Sequence, residues 1–205
     1  MNLEKLFKAQ KELDDRIVEE KGLQRKVLLD KKILALQVEL GELANEWRGF
    51  KFWSEKQKPR TNEPIECETC DGWGSETDPL GICMSSDKCE NCSGTGFVGS
   101  RNPLLEEYVD CLHFILSIGN DLRINEHQNF CGTGTKNAIT LFLEINRYVS
   151  ELWLKRHEKD KSVKWLFVLA NFISLGEQLG FTWEQIEQAY FEKNKVNHER
   201  QTDGY

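Results

Sequence analysis

Apolar positions recur at helical spacing along most of this chain. Their period predicts six helices, over residues 3–20, 29–54, 104–118, 136–157, 162–179 and 183–198. Gly180 is expected to end the fifth helix, and Thr182 with Gln185 has the spacing of a capping box that begins the sixth. Little of the chain alternates as a strand does, so the pattern predicts an all-α fold.

Residues 58–102 interrupt the helical pattern. Five of the seven cysteines lie in this stretch. All four prolines lie within it or at its edge: Pro59, Pro64, Pro79 and Pro103. We therefore expect a helical domain made of residues 1–60 and 101–205, with an insert formed by residues 61–100. A glycine-rich connector is expected further on, around Cys131–Gly134.

The insert carries two CxxC units, Cys67 with Cys70 and Cys89 with Cys92. Eighteen residues separate them, a spacing typical of four-cysteine zinc sites. Four thiolates in tetrahedral geometry select Zn²⁺, and because they fill its coordination shell, such a zinc is structural. A pair of unligated thiol loops is the alternative.

Glycines follow each CxxC unit and allow tight turns, so that backbone amides can face the sulfurs. They are Gly72, Gly74, Gly94 and Gly96. The doubled CxxCxGxG pattern resembles the cysteine-rich knuckles of DnaJ-type chaperones over about thirty residues. Cys83, between the two units, is expected to take no part in the site, and Cys111 and Cys131 are expected to pack against apolar residues.

Two pairs of carboxylates lie on predicted helices, Glu39 with Glu42 and Glu107 with Asp110. Each pair has i, i+3 spacing, which places both side chains on one helix face. Acids on mostly apolar helices are costly unless a cation neutralises them. Oxygen ligands suit Mg²⁺, which binds carboxylates together with substrate phosphates. The alternative is a solvated edge on which these acids pair with lysine or arginine.

The helix around Glu39 has more than one apolar face. One stripe contains Leu36, Leu40, Leu43 and Trp47, whereas Leu34 and Val38 lie nearly opposite. The glutamates form a third stripe between them. We therefore expect this helix to be buried on more than one side, with its acids facing an interior cleft.

The C-terminal segment carries polar side chains that suit phosphate oxygens. Lys193, Asn194, Asn197 and Arg200 recur there at helical spacing. A solvated terminal helix that frays is the alternative.

Composition narrows the function classes further. A net charge of -7 argues against direct nucleic-acid binding, which needs a basic surface. No apolar stretch approaches the roughly 18 residues of a membrane span. The N-terminal segment is charged and amphipathic, without the apolar centre of a signal peptide. We therefore expect a cytoplasmic protein that does not associate with membranes.

Three segments together resemble the dimeric all-α dUTPase family, within the MazG-like nucleoside triphosphate pyrophosphatases. They are LQVELGELANEWRGFKFWS, LLEEYVDCLHFILSIG and AYFEKNKVNHERQTDGY. The resemblance implies a helical bundle with a central four-helix core, acting as a homodimer. It also implies hydrolysis of dUTP to dUMP and pyrophosphate, which limits uracil incorporation into DNA. The cysteine insert is not part of that family's usual pattern.

The resemblance also implies roles for individual residues. Glu39, Glu42, Glu107 and Asp110 would be the Mg²⁺ ligands, and Glu39 or Glu42 would also activate the attacking water. The triphosphate would be bound by Lys193, Asn194, Asn197 and Arg200. The uracil base would be bound by Gln10, His113, Phe114 and a tryptophan, Trp53 or Trp47. Asp14 stands where relatives often carry asparagine.

Two other functions are compatible with the sequence. A broader pyrophosphatase would keep the fold and the metal site but accept dCTP or modified nucleotides. A non-enzymatic scaffold would use the zinc insert to dock a protein or a nucleic acid. A protein partner at the insert is also compatible with the enzyme.

Overall fold

The computed structural model describes residues 3–77, 83–124 and 136–204. Within these residues the chain forms six α-helices, a short 3-10 helix and four short strands. The helices are α1 (Leu3–Glu20), α2 (Leu29–Trp47), α3 (Pro103–Leu122), α4 (Ala138–Leu154), α5 (Lys161–Gln178) and α6 (Trp183–Thr202). The strands are β1 (Glu63–Glu66), β2 (Ser75–Thr77), β3 (Cys83–Lys88) and β4 (Phe97–Arg101). The connector expected around Cys131–Gly134, including Cys131, lies outside the described residues.

The helical architecture confirms the predicted fold class, but α2 ends at Trp47 and not at residue 54. Arg48 has a φ of 64° and its N–H bonds to the carbonyl of Ala44, which closes the helix. At Gly49, a Cβ atom would lie 2.4 Å from the Trp47 ring. A larger residue at position 49 would have to displace that ring. An aromatic loop with Phe50, Phe52 and Trp53 follows.

The start of α6 agrees with its predicted capping box. The Thr182 hydroxyl accepts from the N–H of Gln185, and the Gln185 side chain accepts from the N–H of Thr182. Gly180, just before, has a φ of +87°, a conformation that favours glycine. Two donors at the helix start are thereby satisfied.

The helices share one buried apolar interior. Its largest side chains include Trp165 and Phe172 of α5, and both connect α5 to α3. The Trp165 indole N–H donates to the Ile115 carbonyl at 2.8 Å, and Tyr108 stacks on Phe172 with ring centroids 4.2 Å apart. Cys111 is fully buried, as predicted.

In the single chain, α2 is buried on one side only. Leu36, Leu40 and Leu43 face the interior. Leu34 is 62% exposed and Val38 is 51% exposed, so the prediction that both apolar faces are buried is wrong for the single chain. The opposite face of α2 remains open because no element of the described chain packs over it.

The chain divides into two compact units. One comprises Met1–Lys58 and Leu105–Tyr205, and the other comprises Pro59–Leu104. The smaller unit holds two antiparallel strand pairs, β1 with β4 and β2 with β3. Its buried centre consists of four cysteines and not of large apolar side chains. A unit this small buries too little apolar surface to be stabilised by a hydrophobic core alone, so it needs an additional source of stability.

Among the described helices, none combines the length and the apolar character that a bilayer-spanning segment requires.

Candidate functional site

A cavity of about 530 Å³ lies in the helical unit, between α1, α2, α3 and α6. Its volume is in the range of small-molecule sites. Eight of the residues predicted to bind metal, phosphate or base line it: Gln10, Glu39, Asp110, His113, Phe114, Lys193, Asn197 and Arg200. Residues that are far apart in sequence, on four helices, therefore meet at one site.

Three of the predicted carboxylates converge. Glu39, Glu42 and Glu107 each place an oxygen within 4.8 Å of the others. Burial, with the charges of Asp110 and Glu42, raises the pKa of Glu39 above its ordinary value. Burial and the charges of Asp110, Glu42 and Glu39 raise the pKa of Glu107 to about 7. Like charges held together in this way favour a proton or a bound cation.

Asp110 lies beside this cluster but has a different partner. Its Oδ2 accepts from Lys193 Nζ at 2.6 Å, and both side chains are about a quarter exposed. Lys193 also lines the cavity. This ion pair joins α3 to α6 and places a positive charge next to the carboxylates. A divalent cation fits the oxygen-only donor set of the cluster.

One cationic side of the cavity is formed by α6, and Lys31 and Lys32 of α2 also line it. Lys193, Asn197 and Arg200 share one face of this helix, at intervals of about one turn, and all three line the cavity. Asn194 is not among the lining residues. It is 8% exposed, and its Nδ2 has no hydrogen-bond partner among the described residues.

The inner wall of the cavity carries a buried polar network. Gln10 Oε1 accepts from the Tyr190 hydroxyl at 2.9 Å and lies 2.7 Å from His113 Nδ1. Gln10 Nε2 donates to Asp14 Oδ1 at 2.9 Å. Ser117 Oγ donates to Asp14 Oδ2 at 2.7 Å. The His113 ring also stacks on Tyr190, with centroids 4.2 Å apart.

The predicted tryptophans do not line this cavity. Trp53 is 65% exposed in the loop after α2 and makes edge contacts with Phe50 and Phe52. Trp47 packs instead against Phe142 of α4. The structure thus separates the tryptophans from the other residues predicted to contact the base.

Sequence reasoning missed several residues of the site. Tyr190, Ser117 and Lys32 complete the polar network, Lys32 through its ion pairs with Asp14 and Asp121. Helical spacing could have indicated each one. Ser117 lies one turn after His113, Lys32 lies two turns before Glu39, and Tyr190 lies three residues before Lys193.

The four cysteines of the insert form a second cluster. Their sulfurs all lie within 4.8 Å of one another, with Cys67 to Cys89 at 3.8 Å and Cys70 to Cys92 at 3.7 Å. A Zn–S bond of about 2.3 Å would separate the sulfurs of a regular tetrahedron by about 3.8 Å. The sulfur positions therefore fit a single tetrahedral metal ion.

Backbone amides face two of these sulfurs. The N–H of Gly74 donates to Cys70 Sγ and the N–H of Gly96 donates to Cys92 Sγ, both at 3.2 Å. Both glycines have positive φ, and a Cβ at Gly96 would lie 2.3 Å from the carbonyl oxygen of Gly72. The glycines thus allow the two turns to approach each other at backbone distance.

Fold and cavity together define an all-α protein with a combined carboxylate and cationic site. The model of a family described as dUTPase matches residues 2–74 and 98–205. The chain therefore belongs to the all-α dUTPase family, whose members hydrolyse dUTP. The match includes the first cysteine pair but leaves out residues 75–97, which contain the second pair. No curated protein matches the chain.

Proposed function

We propose that this dUTP diphosphatase is Mg²⁺-dependent and that Glu39, Glu42, Glu107 and Asp110 hold the metal. The observation that carries the proposal is the convergence of three carboxylate oxygens within 4.8 Å beside a cationic helix face. The raised pKa values of Glu39 and Glu107 support it, because a bound cation would relieve the repulsion that raises them. When bound, Mg²⁺ would act as a Lewis acid on the triphosphate.

Glu39 is our candidate for activating water. It lines the cavity, whereas Glu42 does not. One of its oxygens lies within 4.8 Å of oxygens of Glu42 and Glu107, so a water bound at the carboxylate cluster would be within its reach. Glu39 therefore orients the attacking water and accepts its proton as dUTP is converted to dUMP and pyrophosphate.

The residues of α6 are assigned to the triphosphate. Lys193, Asn197 and Arg200 present two cations and an amide to the cavity. Arginine matches phosphate oxygens with two parallel N–H donors, and lysine acts as a point charge. Because Lys193 also pairs with Asp110, it links the phosphate side to the carboxylate side of the site.

The base is assigned to the polar wall that holds Gln10, His113 and Phe114. A site built to hydrogen-bond one base edge penalises a base that leaves those groups unpaired. The exposed position of Trp53 does not support a contact with the base within one chain.

The test is pyrophosphate release from dUTP, dCTP, dTTP, UTP and dUDP, measured with Mg²⁺ and with EDTA. We expect release from dUTP that requires Mg²⁺ and is lost in Glu39→Gln and Glu42→Gln. Glu12→Gln, at an exposed position on α1, is the matched control and should retain activity. Near-normal Mg²⁺-dependent hydrolysis by Glu42→Gln would reject the metal assignment. Similar rates on several nucleotides would favour a broader pyrophosphatase.

We also propose that the cysteine cluster binds one structural Zn²⁺. The sulfur spacing and the two amide donors support this assignment. Four thiolates leave no open coordination position, so the zinc would hold the insert together and take no part in hydrolysis.

A homodimer is proposed from the exposed apolar face of α2 and α4. Leu34, Val38 and Leu143 are each more than half exposed. Leu34 also lines a groove of about 380 Å³ with Trp153 and Leu154 of α4. A second copy would bury these side chains, and burial of apolar area is the main driving force of association.

The insert is proposed to contact a protein partner. In the unit Pro59–Leu104, Ile65, Trp73, Phe97 and Val98 are exposed. The same unit has three basic and eight acidic residues, a net charge of -5. This charge fits a basic protein surface and disfavours nucleic acid. If a chain with residues 61–100 deleted and the ends joined kept its activity, dimerisation and every partner, this role would be rejected.

A further inference from the structure

Lys193 of α6 holds one oxygen on the carboxylate side of the cavity. Its Nζ donates to Asp110 Oδ2 at 2.6 Å, and both side chains are about a quarter exposed. Among the described residues, Asp110 is the only hydrogen-bond or ion-pair partner of this ammonium group. Because the pair is partly shielded from water, its attraction is stronger than that of a fully exposed pair.

Asp110 differs in position from the other three acids. Oxygens of Glu39, Glu42 and Glu107 all lie within 4.8 Å of one another, and this group of described residues does not include Asp110. After burial, which has the largest effect, the charge of Asp110 nevertheless raises the pKa of Glu39 and of Glu107. Asp110 therefore belongs to the same cluster of charges, but one of its oxygens is engaged by Lys193.

The positive charge of Lys193 acts on the whole cluster. It lowers the pKa of Glu39 and of Glu107, against the larger raising effects of burial and the neighbouring acids. A divalent cation among the same oxygens would be repelled by this ammonium group, and it could take Asp110 Oδ2 only by displacing it. Lysine and metal ion would therefore compete for one acceptor.

The face of α6 that carries Lys193 offers the ammonium group a different acceptor. Lys193 lines the cavity together with Asn197 and Arg200, the residues proposed to bind the triphosphate. Lysine is a point charge on a flexible stem, so it can exchange one oxygen partner for another. A phosphate bound at this face would supply oxygens that replace those of Asp110.

We propose that Lys193 couples metal binding to nucleotide binding by exchanging Asp110 for a phosphate group. It holds Asp110 Oδ2 against a metal ion that arrives alone, and it releases this oxygen when a nucleotide phosphate provides another acceptor. The inference rests on the proposed metal and triphosphate sites, and it goes beyond them because it makes the two binding events cooperative. By reciprocity, metal and nucleotide strengthen each other's binding by the same factor.

The first test measures metal binding to nucleotide-free protein, so it does not depend on activity. Mn²⁺ is the probe, because electron paramagnetic resonance distinguishes free from bound Mn²⁺ and because it takes the same oxygen ligands as Mg²⁺. We expect Lys193→Met to bind Mn²⁺ about tenfold more tightly than the parent, a usual size for coupling between sites. Weaker binding in Lys193→Met would overturn the proposal, since Lys193 would then support the metal ligands and not compete for them.

Lys195→Met is the matched control for the loss of one positive charge on α6. Lys195 is 78% exposed and pairs with Glu199 at 3.8 Å. Its removal should leave the Mn²⁺ affinity unchanged. A gain in Lys195→Met as large as that in Lys193→Met would reject a specific role of Lys193.

A double-mutant cycle separates competition at Asp110 from general repulsion of the metal. Asp110→Asn removes the carboxylate that Lys193 holds. In that background we expect Lys193→Met to increase the Mn²⁺ affinity by less than about threefold, because the contact between the two residues is already lost. An equal gain in both backgrounds would reject the exchange at Asp110.

The second test measures the coupling from the nucleotide side. Calorimetry gives the dissociation constant of α,β-imido-dUTP, a non-hydrolysable analogue, with and without Mg²⁺. We expect the factor by which Mg²⁺ tightens binding to be about tenfold smaller in Lys193→Met than in the parent, and unchanged in Lys195→Met. An unchanged factor in Lys193→Met would reject the coupling.

Failure of the exchange can be distinguished from failure of the sites on which it depends. If Mn²⁺ binds neither the parent nor Lys193→Met, even with the analogue present, the carboxylate site itself is rejected. If both proteins bind Mn²⁺ equally tightly, the site stands and the competition is rejected. If Lys193→Met does not fold, Lys193→Gln decides the same question, because it removes the charge but keeps an N–H donor for Asp110.

Discussion

The pKa of Glu107 reflects how closely the carboxylates of the cluster are held together. Its pKa is raised to about 7 by burial and by neighbouring acids. A raised carboxyl pKa means that the folded protein binds this proton more tightly than the unfolded chain does. The stability it contributes is therefore present below the ordinary glutamate pKa and is lost as pH rises through about 7. In metal-free protein, ionised Glu107 is a destabilising group.

We therefore predict that Glu107→Gln stabilises the metal-free protein at pH 8 but not at pH 4.5. After a discount for partial exposure, the expected gain is about 1 kcal/mol. The measurement is urea unfolding in EDTA at both pH values, with Glu12→Gln as the control for loss of a surface charge. Equal stability of Glu107→Gln and the parent at pH 8 would contradict the raised pKa. With Mg²⁺ the order should reverse, because the variant lacks a proposed ligand.

At the scale of elements, α6 contributes both to the buried polar network and to the lining of the cavity. Tyr190 donates to Gln10 in the buried polar network, and Lys193, Asn197 and Arg200 line the cavity. The capping box at Thr182 defines where this helix begins, two turns before Tyr190. Contacts of Tyr190 with Gln10 and of Lys193 with Asp110 hold the site end of the helix in place.

Thr182→Ala should lower the free energy of unfolding by about 1 kcal/mol, the usual effect of losing an N-cap side chain. Because Tyr190 and Lys193 are held by contacts with α1 and α3, we expect kcat to change by less than about threefold. Denaturant unfolding and steady-state kinetics measure the two effects. Thr182→Ser keeps the capping hydroxyl and should behave like the parent. An unchanged stability in Thr182→Ala would show that the cap does not hold the helix start.

The cysteine unit is predicted to depend on its metal. Cys67→Ser should lose the zinc, which is measured as metal content per chain by mass spectrometry. Asn91→Ala should retain it but release it to a chelator about tenfold more readily, because Asn91 Nδ2 donates to Cys67 Sγ at 3.4 Å. Ser93→Gly, at an exposed position with a φ of 53°, is the control and should retain the metal fully. Stoichiometric zinc in Cys67→Ser would contradict the four-cysteine site.

Local sequence patterns predicted the helices, whereas the arrangement of the site residues depends on contacts between residues far apart in sequence. Periodicity indicated α1 and α6 because their patterns lie within a few turns of sequence. The end of α2 was missed because Arg48, a residue other than glycine, takes the positive φ that ends it. The contact between Gln10 and His113 joins residues 103 positions apart. No local pattern shows that Gln10 faces His113 and Asp14, so only the structure could reveal this network.

At the scale of the whole molecule, the exposed apolar face of α2 and α4 predicts a homodimer. Leu143→Asp places a charge on the most exposed apolar side chain of α4. We expect this variant to sediment as a monomer at concentrations where the parent is a dimer, because burying an unpaired charge in an interface is costly. Lys8→Asp, at an exposed position on α1, is the charge control. A parent protein that is monomeric at all concentrations, or a dimeric Leu143→Asp, would contradict this interface.

The smaller unit begins and ends at neighbouring positions. Its Leu104 N–H donates to the carbonyl of Arg60 at 3.1 Å, and β1 and β4 run antiparallel from that point. Closing a segment whose ends already touch adds little loop entropy to the chain that carries it. The unit can therefore be regarded as an exchangeable insertion. A hairpin, a tag or a different domain with equally close termini could replace it, because the two flanking segments of the helical unit would still be joined across the same short distance.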